Sequence, residues 1–389
     1  MKRISLFLFF SIVLMLLQTN AFATIRRVNF VQSVSPVAGI DFANFQAAHD
    51  AAVNGDTIQL YPNTANFYTS GTISKKLVIL GSGYFYNSYT TYADISNAGL
   101  QLIPGGINNG YRNSFTISTG SAGTVFQGVN GLGIGTIDIA DSLNSITISR
   151  CRYVDIFFTN SGVCNNWLIT QCYDVNVRQD GYAATYTGNR TITNLRIENT
   201  FNPVVSYNAS GRQSPVGVNS GQFLNCIIGQ SYSYLNNSVF IVQNCIDAFG
   251  HLGSNYYWSG LTNTIFINNL TTASATNNPM FTNPGSSGNI FNMATGSNSV
   301  FVGYPNNTSG STTLYSSDAK WQLSTNSIAK GAGIIPGTTT ATDCGMYGGT
   351  NPYKASGIPA VPAFYKLNAP SATAITSPYV LTFSVRGNN

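Results

Sequence analysis

The sequence predicts an all-β protein: a single right-handed parallel β-helix with an N-terminal helical cap and a short C-terminal β tail. Short strand patterns follow one another with turns between them and no crossover helix, which is typical of a coil of strands. Aligned segments return about every twenty residues, the length of one rung of such a coil. Charged residues make up only 8% of the chain, which disfavours helices that present Glu and Lys to solvent.

The first 23 residues have the pattern of a secretory signal peptide. Lys2 and Arg3 precede an apolar run, and an Ala-Phe-Ala sequence that ends at Ala23 offers a cleavage site. No later stretch is apolar enough to cross a membrane, so we expect a mature chain that is secreted, extracellular or on the cell surface. The predicted organisation is a signal peptide at 1–23, the β-helix with its cap at 24–350, and a C-terminal β tail or attachment segment at 351–389.

The N-terminal region predicts a strand, a helical cap and the first turn of the coil. Residues 24–30 form the predicted strand, and Asp41 is the predicted N-cap of a helix over residues 45–53. Alternating apolar and polar residues at 57–60 predict a strand with one buried face, and the apolar run at 77–80 predicts the next strand. The helix would cover the open end of the solenoid, where unpaired backbone groups are otherwise exposed.

The clearest repeats lie in the middle of the chain. Residues 145–158 align with residues 166–179, and residues 223–226 align with residues 242–245. Because side chains alternate along a strand, the shared apolar positions should point into the coil and the polar ones outward.

One column of the aligned repeats is polar and is expected to lie at the bend between two strands. Its members are Arg150, Gln171, Asn199, Asn225, Asn244 and Asn269. Asn tolerates the unusual backbone angles of a bend, and stacked amides can pass hydrogen bonds from rung to rung. We therefore favour a structural ladder over the alternative, a row of ligand-binding groups.

The next column contains four of the six cysteines. Its members are Cys151, Cys172, Thr200, Cys226, Cys245 and Leu270. A column shared with Leu should point inward, which predicts free thiols that behave as small apolar core residues. Export would permit disulfides instead, but in-register neighbours are about 4.8 Å apart, farther than a relaxed disulfide allows. Cys164 and Cys344 stay unassigned and could pair elsewhere.

Both ends of the chain carry further motifs. At the N-terminal end the predicted helix is followed by GDTI at 55–58 and KLVILGSGYF at 76–85. At the C-terminal end S-x-A-x-G-A-G at 327–333 precedes D-x-G-x-Y-G-G at 343–349. Together they resemble secreted bacterial right-handed parallel β-helix proteins of the pectin-lyase-like superfamily. The resemblance implies relatives that include polysaccharide lyases and hydrolases, whose chemistry requires clustered carboxylates.

The best local candidates for such chemistry lie on two aligned strands. With the valines inward, Asp155, Asn176 and Arg178 should point outward as neighbours. Asp155, Arg178 and Asp180 are the candidate catalytic residues, and Asn176 is a candidate ligand-binding residue. A diagonal surface ion pair between Asp155 and Arg178 is the simpler interpretation. The acids are too few for a calcium cluster and no Cys/His spacing suits zinc, so no metal or cofactor is predicted.

A loop near residues 250–262 supplies the remaining ligand-binding candidates, which are His251, Tyr256, Tyr257 and Trp258. Clustered aromatic rings stack on sugars, although the same rings could equally pack over the solenoid wall.

Two functions follow from these observations. The first is an exported structural, adhesive or glycan-contacting β-helix without an evident catalytic site, whose partner is a polysaccharide or cell-surface glycan. The second is a polysaccharide lyase or glycoside hydrolase with a non-standard site near the loops at 178–190 and 250–262. Nucleic acid is disfavoured as a partner because the net charge of +5 includes no basic run. The oligomeric state is left open.

Overall fold

The structure is a computed structural model. It describes residues 23–28, 36–60, 70–84, 113–136, 143–158, 162–179, 190–206, 217–218, 220–229, 233–234, 239–252, 258–259, 261–276, 278–294, 299–304, 317–359, 363–368 and 382–386. The predicted signal peptide lies outside these residues, apart from Ala23. In the described part of the chain, no helix has the length and apolar character that a membrane span requires.

Two long parallel sheets form the walls of the molecule. Sheet A comprises, among the described residues, β1 (Ile25–Val28), β2 (Asp41–Phe42), β3 (Thr57–Leu60), β5 (Val78–Leu80), β7 (Val125–Gln127), β9 (Thr147–Ser149), β12 (Leu168–Thr170), β15 (Leu195–Glu198), β18 (Ser220–Leu224), β21 (Val239–Gln243) and β24 (Thr264–Ile267). Sheet B comprises β4 (Ser70–Ile73), β6 (Asn113–Ile117), β8 (Leu132–Thr136), β10 (Arg152–Phe158), β13 (Tyr173–Gln179), β16 (Phe201–Ser206), β19 (Ile227–Ile228), β22 (Ile246–Asp247) and β25 (Leu270–Thr271).

The other elements are short. Sheet C is parallel and contains β11 (Gly162–Asn165), β14 (Arg190–Thr193) and β17 (Gly217–Val218), and β20 (Ser233–Tyr234) pairs in parallel with β23 (Trp258–Ser259). Two antiparallel pairs are β26 (Gly333–Ile334) with β27 (Ala341–Thr342), and β28 (Ala363–Asn368) with β29 (Thr382–Arg386). The helices are α1 (Phe45–Ala51) and α2 (Pro279–Thr282), and two 3₁₀ turns cover Ala319–Trp321 and Ala355–Gly357.

The chain visits the sheets in a fixed rotation, which confirms the parallel β-helix. It passes from β9 in sheet A to β10 in sheet B and β11 in sheet C, and then returns to sheet A at β12. Each strand therefore pairs with its counterpart one rung away, and parallel connections of this kind are right-handed in nearly all proteins. The pairing of Ile148 with Ile169 and of Val154 with Val175 is the register that the repeats predicted.

The interior of the coil is filled by stacked apolar side chains. Ile148, Ile169 and Ile197 occupy one column of sheet A, and all three are fully buried. The cap helix closes the N-terminal end because Phe45 points into the coil, where its ring centroid lies 4.6 Å from that of Phe115.

The start of the cap differs from the prediction. Asn44, rather than Asp41, is the N-cap of α1, and its side chain accepts a hydrogen bond of 2.9 Å from the backbone N–H of Ala47. Asp41 lies in β2, where its carboxylate pairs with Arg27. The prediction failed because both residues are good N-caps, and the strand pairing of Asp41 is not visible in local sequence.

The polar column lies at the bend between sheets A and B, as predicted. Its members adopt the left-handed conformation, with φ of 51° at Arg150, 55° at Gln171 and 47° at Asn199. The register corrects one member. Because Gln243 pairs with Ile267 and Ile246 with Leu270, Asn268 belongs to this column, and Asn269 does not. The mistake was a slip of one residue, since adjacent asparagines fit the column equally well in sequence. We call the corrected column (Arg150, Gln171, Asn199, Asn225, Asn244 and Asn268) the corner column.

The corner column mostly binds a distant segment rather than its own neighbours. Residues 333–359, here called the strap, run back along the corner, and the side chains donate to the strap backbone at successive rungs. The bonds are Asn244 Nδ2 to Ile334 O at 2.9 Å, Asn225 Nδ2 to Asp343 O at 3.0 Å, Asn199 Nδ2 to Met346 O at 3.0 Å and to Gly348 O at 2.7 Å, Gln171 Nε2 to Pro352 O at 2.7 Å, and Arg150 Nη1 to Ile358 O at 2.8 Å.

The predicted rung-to-rung ladder is present at two steps of the corner. Arg150 Nε donates to Gln171 Oε1 at 2.8 Å, and Asn244 Nδ2 reaches Asn225 Oδ1 at 3.4 Å. Pro359, the last described residue of the strap, lies against Gly128, which takes the corner position one rung before Arg150: a Cβ added to Gly128 would lie 2.5 Å from Pro359 Cγ. The corner therefore chiefly holds the C-terminal part of the chain against the coil.

The cysteine column points inward, and all six cysteines are free and buried. The one-residue correction places Asn269, rather than Leu270, in this column. The thiols also have a polar role, because each of three accepts a backbone N–H from the previous rung. The bonds are Val129 N to Cys151 Sγ, Cys151 N to Cys172 Sγ and Cys226 N to Cys245 Sγ, each at 3.4 Å. Thr200 Oγ1 accepts from Cys172 N, and Asn269 Oδ1 accepts from Cys245 N, in the same way.

A second hydrophobic cluster lies outside the coil, on the outer face of sheet B. The described residues between 293 and 359, which include the strap, form a C-terminal lobe over the last rungs. Ile227, Ile246 and Leu270 are buried against lobe residues such as Phe301 and Met346. The lobe thus covers the outer face of β19, β22 and β25, and a groove lies between the lobe and residues of β10, β13 and β16.

Candidate functional site

The predicted wall candidates do meet on sheet B. Arg178 makes two hydrogen bonds to Asp155, from Nε to Oδ1 at 2.8 Å and from Nη2 to Oδ2 at 2.9 Å. Asn176 Nδ2 lies 3.4 Å from the same Oδ1 atom. The register explains this contact, because Asp155 pairs with Asn176 and Arg178 follows two residues later on the same face. Asp180 lies outside the described residues.

The geometry of this ion pair favours a structural role. The fork of Arg178 engages both carboxylate oxygens of Asp155, which is 6% exposed. Its guanidinium carbon also lies 5.7 Å from the ring centroid of Phe157. Phe157 in turn covers Gly135 on the neighbouring strand, where a Cβ would be 2.7 Å from the ring. A catalytic role for Asp155, Arg178 or Asp180 remains a prediction.

The loop candidates are only partly described. His251 is 7% exposed, and its Nδ1 lies 3.3 Å from the carbonyl oxygen of Gly229. It therefore packs against the wall, and a ligand-binding role remains a prediction. Trp258 lies on β23, while Tyr256 and Tyr257 lie outside the described residues.

A groove of about 420 Å³ opens between the sheet B wall and the C-terminal lobe. The wall contributes residues of β10, β13 and β16, and the lobe contributes residues beside its first 3₁₀ turn. The lining residues are Arg152, Tyr153, Tyr173, Asp174, Phe201, Asn202, Gly229, Phe249, Tyr304, Ser317, Lys320 and Trp321. Its size lies within the range of about 300–1,000 Å³ that is typical of ligand sites.

One side of the groove is aromatic. Trp321 stacks on Tyr304, with ring centroids 4.6 Å apart and an interplanar angle of 26°. Trp321 also lies 4.8 Å from Phe201, which stacks on Tyr173 at 4.5 Å. Phe249 contacts Tyr304 edge-on at 5.5 Å. Tyr304 is half-buried, so this aromatic cluster extends from the buried lobe to the groove surface.

The other side of the groove is polar and centred on Asp174. Asn202 Nδ2 donates to Asp174 Oδ1 at 3.1 Å. Burial raises the pKa of Asp174 above its ordinary value, although Asn202, Arg152 and Lys320 each act to lower it. Burial lowers the pKa of Lys320, and the charge of Asp174 partly offsets that effect. The ammonium of Lys320 lies 5.1 Å from the ring centroid of Trp321, so the charged and aromatic sides meet at Lys320.

A local backbone irregularity brings Asp174 into the groove. Tyr153, Asp174 and Asn202 have φ of 50°, 58° and 51°, although they lie within β-strands. A residue in this conformation interrupts the alternation of side chains along a strand. Tyr173 and Asp174 therefore both line the groove, while Val175 returns to the core.

Regular alternation, which the sequence analysis assumed, does not reveal this site. The signal was present in the aligned repeats, where Tyr153, Asp174 and Asn202 each stand two residues after the inward Cys or Thr column. Asp and Asn are, after glycine, among the residues that most readily adopt a positive φ, so two such residues in one column indicate a bulge.

Buried hydrogen bonds fix the lobe side of the groove. Asp318 is fully buried and accepts from Ala319 N at 2.9 Å, which caps the 3₁₀ turn that carries Lys320 and Trp321. It also accepts from the hydroxyl of Tyr353 in the strap at 3.2 Å. Across the groove, the hydroxyl of Tyr173 donates to Ser317 O at 2.8 Å. Strap, lobe and wall are therefore joined beneath the groove.

Within the described residues, no three His, Cys, Asp or Glu side chains lie close enough together to hold a metal ion. The groove has one carboxylate, Asp174, among its lining residues, together with two cations and several aromatic rings. Such a set suits the binding of a polar organic ligand.

The fold and the groove define a right-handed parallel β-helix with a ligand-sized groove on its outer wall. No protein-family model matches the chain, and no curated protein matches it significantly. Among solved structures the chain is similar to pectate lyase Pel9A, at 12% sequence identity and a TM-score of 0.42, over 85% of this chain and 97% of that one. The assignment of the fold rests on the strand order and register of this chain.

Proposed function

We propose that this protein is an exported β-helix that contacts a glycan through the groove between sheet B and the C-terminal lobe. The observation that carries the proposal is the position of the Tyr304–Trp321 stack beside Asp174 and Lys320 in a groove of about 420 Å³. Sugars present both an apolar ring face and a rim of hydroxyls, so their sites combine aromatic rings with hydrogen-bonding groups.

The surrounding architecture supports binding to an extended chain. Sheet B continues from the groove towards the N-terminal rungs through β10, β8 and β6, and the lobe residues around Phe301 pack on rungs nearer the C-terminal end. A rigid, regularly spaced wall of this kind is the usual extended binding surface of solenoid proteins. We therefore expect a polysaccharide anchored in the groove to follow this wall.

Binding is tested by affinity electrophoresis and calorimetry of the mature chain with a panel of neutral and acidic polysaccharides. We expect at least one polysaccharide to bind, and Tyr304→Ala and Lys320→Ala to weaken that binding about ten-fold or more. Lys330→Ala is the matched control, because Lys330 is an exposed lobe lysine outside the groove. Binding by none of the panel, or equal binding by all four proteins, contradicts the proposal.

A carbohydrate-active enzyme is the second candidate. One observation favours it: the pKa of Asp174 is raised by burial and that of Lys320 is lowered by burial, in the same groove. Shifts in opposite directions suit a proton donor and a proton acceptor. Incubation with the same polysaccharides decides the matter. New reducing ends or unsaturated uronides that vanish in Asp174→Asn and Lys320→Ala would establish catalysis, and unchanged polymers would leave binding alone.

A further inference from the structure

We infer that the groove recognises a neutral sugar unit, whose hydroxyl groups donate hydrogen bonds to the carboxylate of Asp174. This inference rests on the proposed glycan function and specifies the ligand of the same groove. It is carried by the hydrogen-bonding capacity left open on Asp174 and by the charges around that carboxylate.

The wall side of the groove has unused acceptors. Asp174 accepts one hydrogen bond within the described residues, from Asn202 Nδ2 at 3.1 Å, although a carboxylate offers about four lone-pair sites. Asn202 Oδ1 also has no hydrogen-bond partner among the described residues, but it is buried against Gly229 and out of a ligand's reach. A ligand that fits against Asp174 therefore supplies donors.

The orientation of Asn202 leaves the carboxylate of Asp174 as the acceptor that faces the groove. Its amide nitrogen faces Asp174 Oδ1, so its oxygen points away towards Gly229, another lining residue. Rotating the amide by half a turn would set two oxygens against each other, which an ionised Asp174 disfavours. A hydroxyl group donates a proton, whereas a ligand carboxylate or sulfate brings only acceptors.

The charge of Asp174 also favours a neutral sugar over an anionic one. The guanidinium of Arg152 is already engaged, because its Nη2 donates to Tyr153 Oη at 2.6 Å and its carbon lies 4.1 Å from the Tyr153 ring centroid. Arg152 and Lys320 both act to lower the pKa of Asp174, which favours the carboxylate form that accepts hydrogen bonds from a ligand. An anionic sugar would add a second negative charge beside Asp174, and two carboxylates at one site repel each other.

The pH dependence of binding separates the two ligand classes. Arg152 and Lys320 are the cations that act on Asp174, and Tyr173 is the neighbouring phenol. Acidification through the raised pKa of Asp174 removes the negative charge of its carboxylate. A neutral sugar that donates to the carboxylate should bind less tightly as the pH falls. An anionic sugar should bind more tightly, because the repulsion disappears.

The experiment measures affinity by calorimetry at neutral and acidic pH, with a neutral glucan, a neutral galactan and polygalacturonate as probes. Asp174→Asn should weaken binding of the neutral probe about ten-fold and abolish its pH dependence. Loss of the pH dependence in Asp174→Asn would assign that dependence to Asp174 rather than to His251, which bonds to the carbonyl of Gly229 behind the groove. Asp50→Asn is the control, since Asp50 is a well-exposed carboxylate on the cap helix.

A second variant tests the amide without straining the backbone. Asn202 has a φ of 51°, which Gly adopts at no steric cost, so Asn202→Gly removes the donor to Asp174 and keeps the bulge. It should weaken neutral-sugar binding several-fold, because the carboxylate loses the amide that orients it. Binding of polygalacturonate alone, strengthened by acid or by Asp174→Asn, overturns this inference and leaves the glycan function intact. Binding of no probe at all overturns the glycan function itself.

Discussion

Two adjacent columns of side chains in the solenoid differ in where their hydrogen-bond partners lie. The inward column, which includes Cys151, Cys226 and Cys245, is satisfied within the coil by backbone groups one rung away. The corner column, one residue earlier in each rung, sends side chains such as Asn199 and Asn225 to a strap more than a hundred residues distant in sequence. The coil could therefore form its interior before the strap arrives, whereas the corner is completed only by the strap.

This difference separates folding of the coil from assembly of the groove. The strap supplies Tyr353, whose hydroxyl binds Asp318 under the groove. Asp318 caps the turn that presents Lys320 and Trp321. A substitution that destabilises the corner column should therefore also weaken ligand binding in the groove. A substitution of similar cost in the inward column should lower the stability of the coil without changing the groove.

The largest expected effect is at the corner. Asn199→Ala removes two hydrogen bonds and leaves the buried carbonyl of Gly348 without this donor, whereas Met346 O still accepts from the backbone N–H of Tyr353. At about 1–3 kcal/mol for the orphaned carbonyl and about 1 kcal/mol for the second lost bond, the free energy of unfolding should fall by about 2–4 kcal/mol. Chemical denaturation measures this change, and polysaccharide affinity of the folded variant should fall as well.

Asn268→Ala is the matched control for that measurement. Asn268 occupies the same column at a φ of 51°, against 47° for Asn199, so both substitutions place Ala in the same strained conformation. Among the described residues, the Asn268 side chain has no hydrogen bond to the strap. Equal losses of stability in the two variants would show that the column serves the bend alone and that the strap contributes nothing.

The coil could be predicted from the sequence because each strand pairs with the aligned segment of the next rung. The shift that aligns residues 145–158 with residues 166–179 is the observed pairing, and it placed Ile148 and Cys151 inside. The strap was not predictable in the same way. Its motifs indicated only a resemblance to secreted β-helix proteins, and the sequence position of an amide side chain does not show which distant carbonyl it will bind.

The groove illustrates a second limit. Period-two alternation assigns one face to each residue of a strand, and the positive φ at Asp174 breaks that rule at the site itself. Asp155 and Arg178 lie on a regular stretch, so their contact was predictable. Functional grooves often use such irregular backbone, which explains why the regular pattern located the wall and missed the groove.

A smaller effect is expected inside the coil, at Cys245. Its sulfur accepts the N–H of Cys226 at 3.4 Å, and Cys245→Ala leaves that buried N–H without its acceptor, at a cost of about 1–3 kcal/mol. Cys245→Ser keeps an acceptor, as Thr200 does in the same column by accepting from Cys172 N at 3.3 Å. Denaturation should therefore show Ser to be less damaging than Ala.

This order of stability, with the Ser variant above the Ala variant, is the opposite of the order expected for a purely apolar thiol. If the cysteines were simple core fillers, Ala would preserve apolarity and Ser would bury a hydroxyl at a penalty. A more stable Ala variant would therefore show that the N–H to sulfur contacts contribute nothing. Neither substitution should change polysaccharide affinity, because Cys245 points into the coil and is not among the described residues that line the groove.

The smallest expected effect is that of a reducing agent, which should leave the melting temperature unchanged. The in-register thiols stack on strands about 4.8 Å apart with parallel Cα–Cβ bonds, whereas a relaxed disulfide brings Cβ atoms to about 3.8 Å. Burial also raises the pKa of Cys151 and Cys226, which suppresses the reactive thiolate. Titration of the unfolded, unreduced protein should count six thiols, with slow labelling of the folded protein. A count of four or two thiols, together with a melting temperature lowered by reductant, would place a disulfide in the coil. The inward column would then be held by a covalent bond rather than by the hydrogen bonds described above.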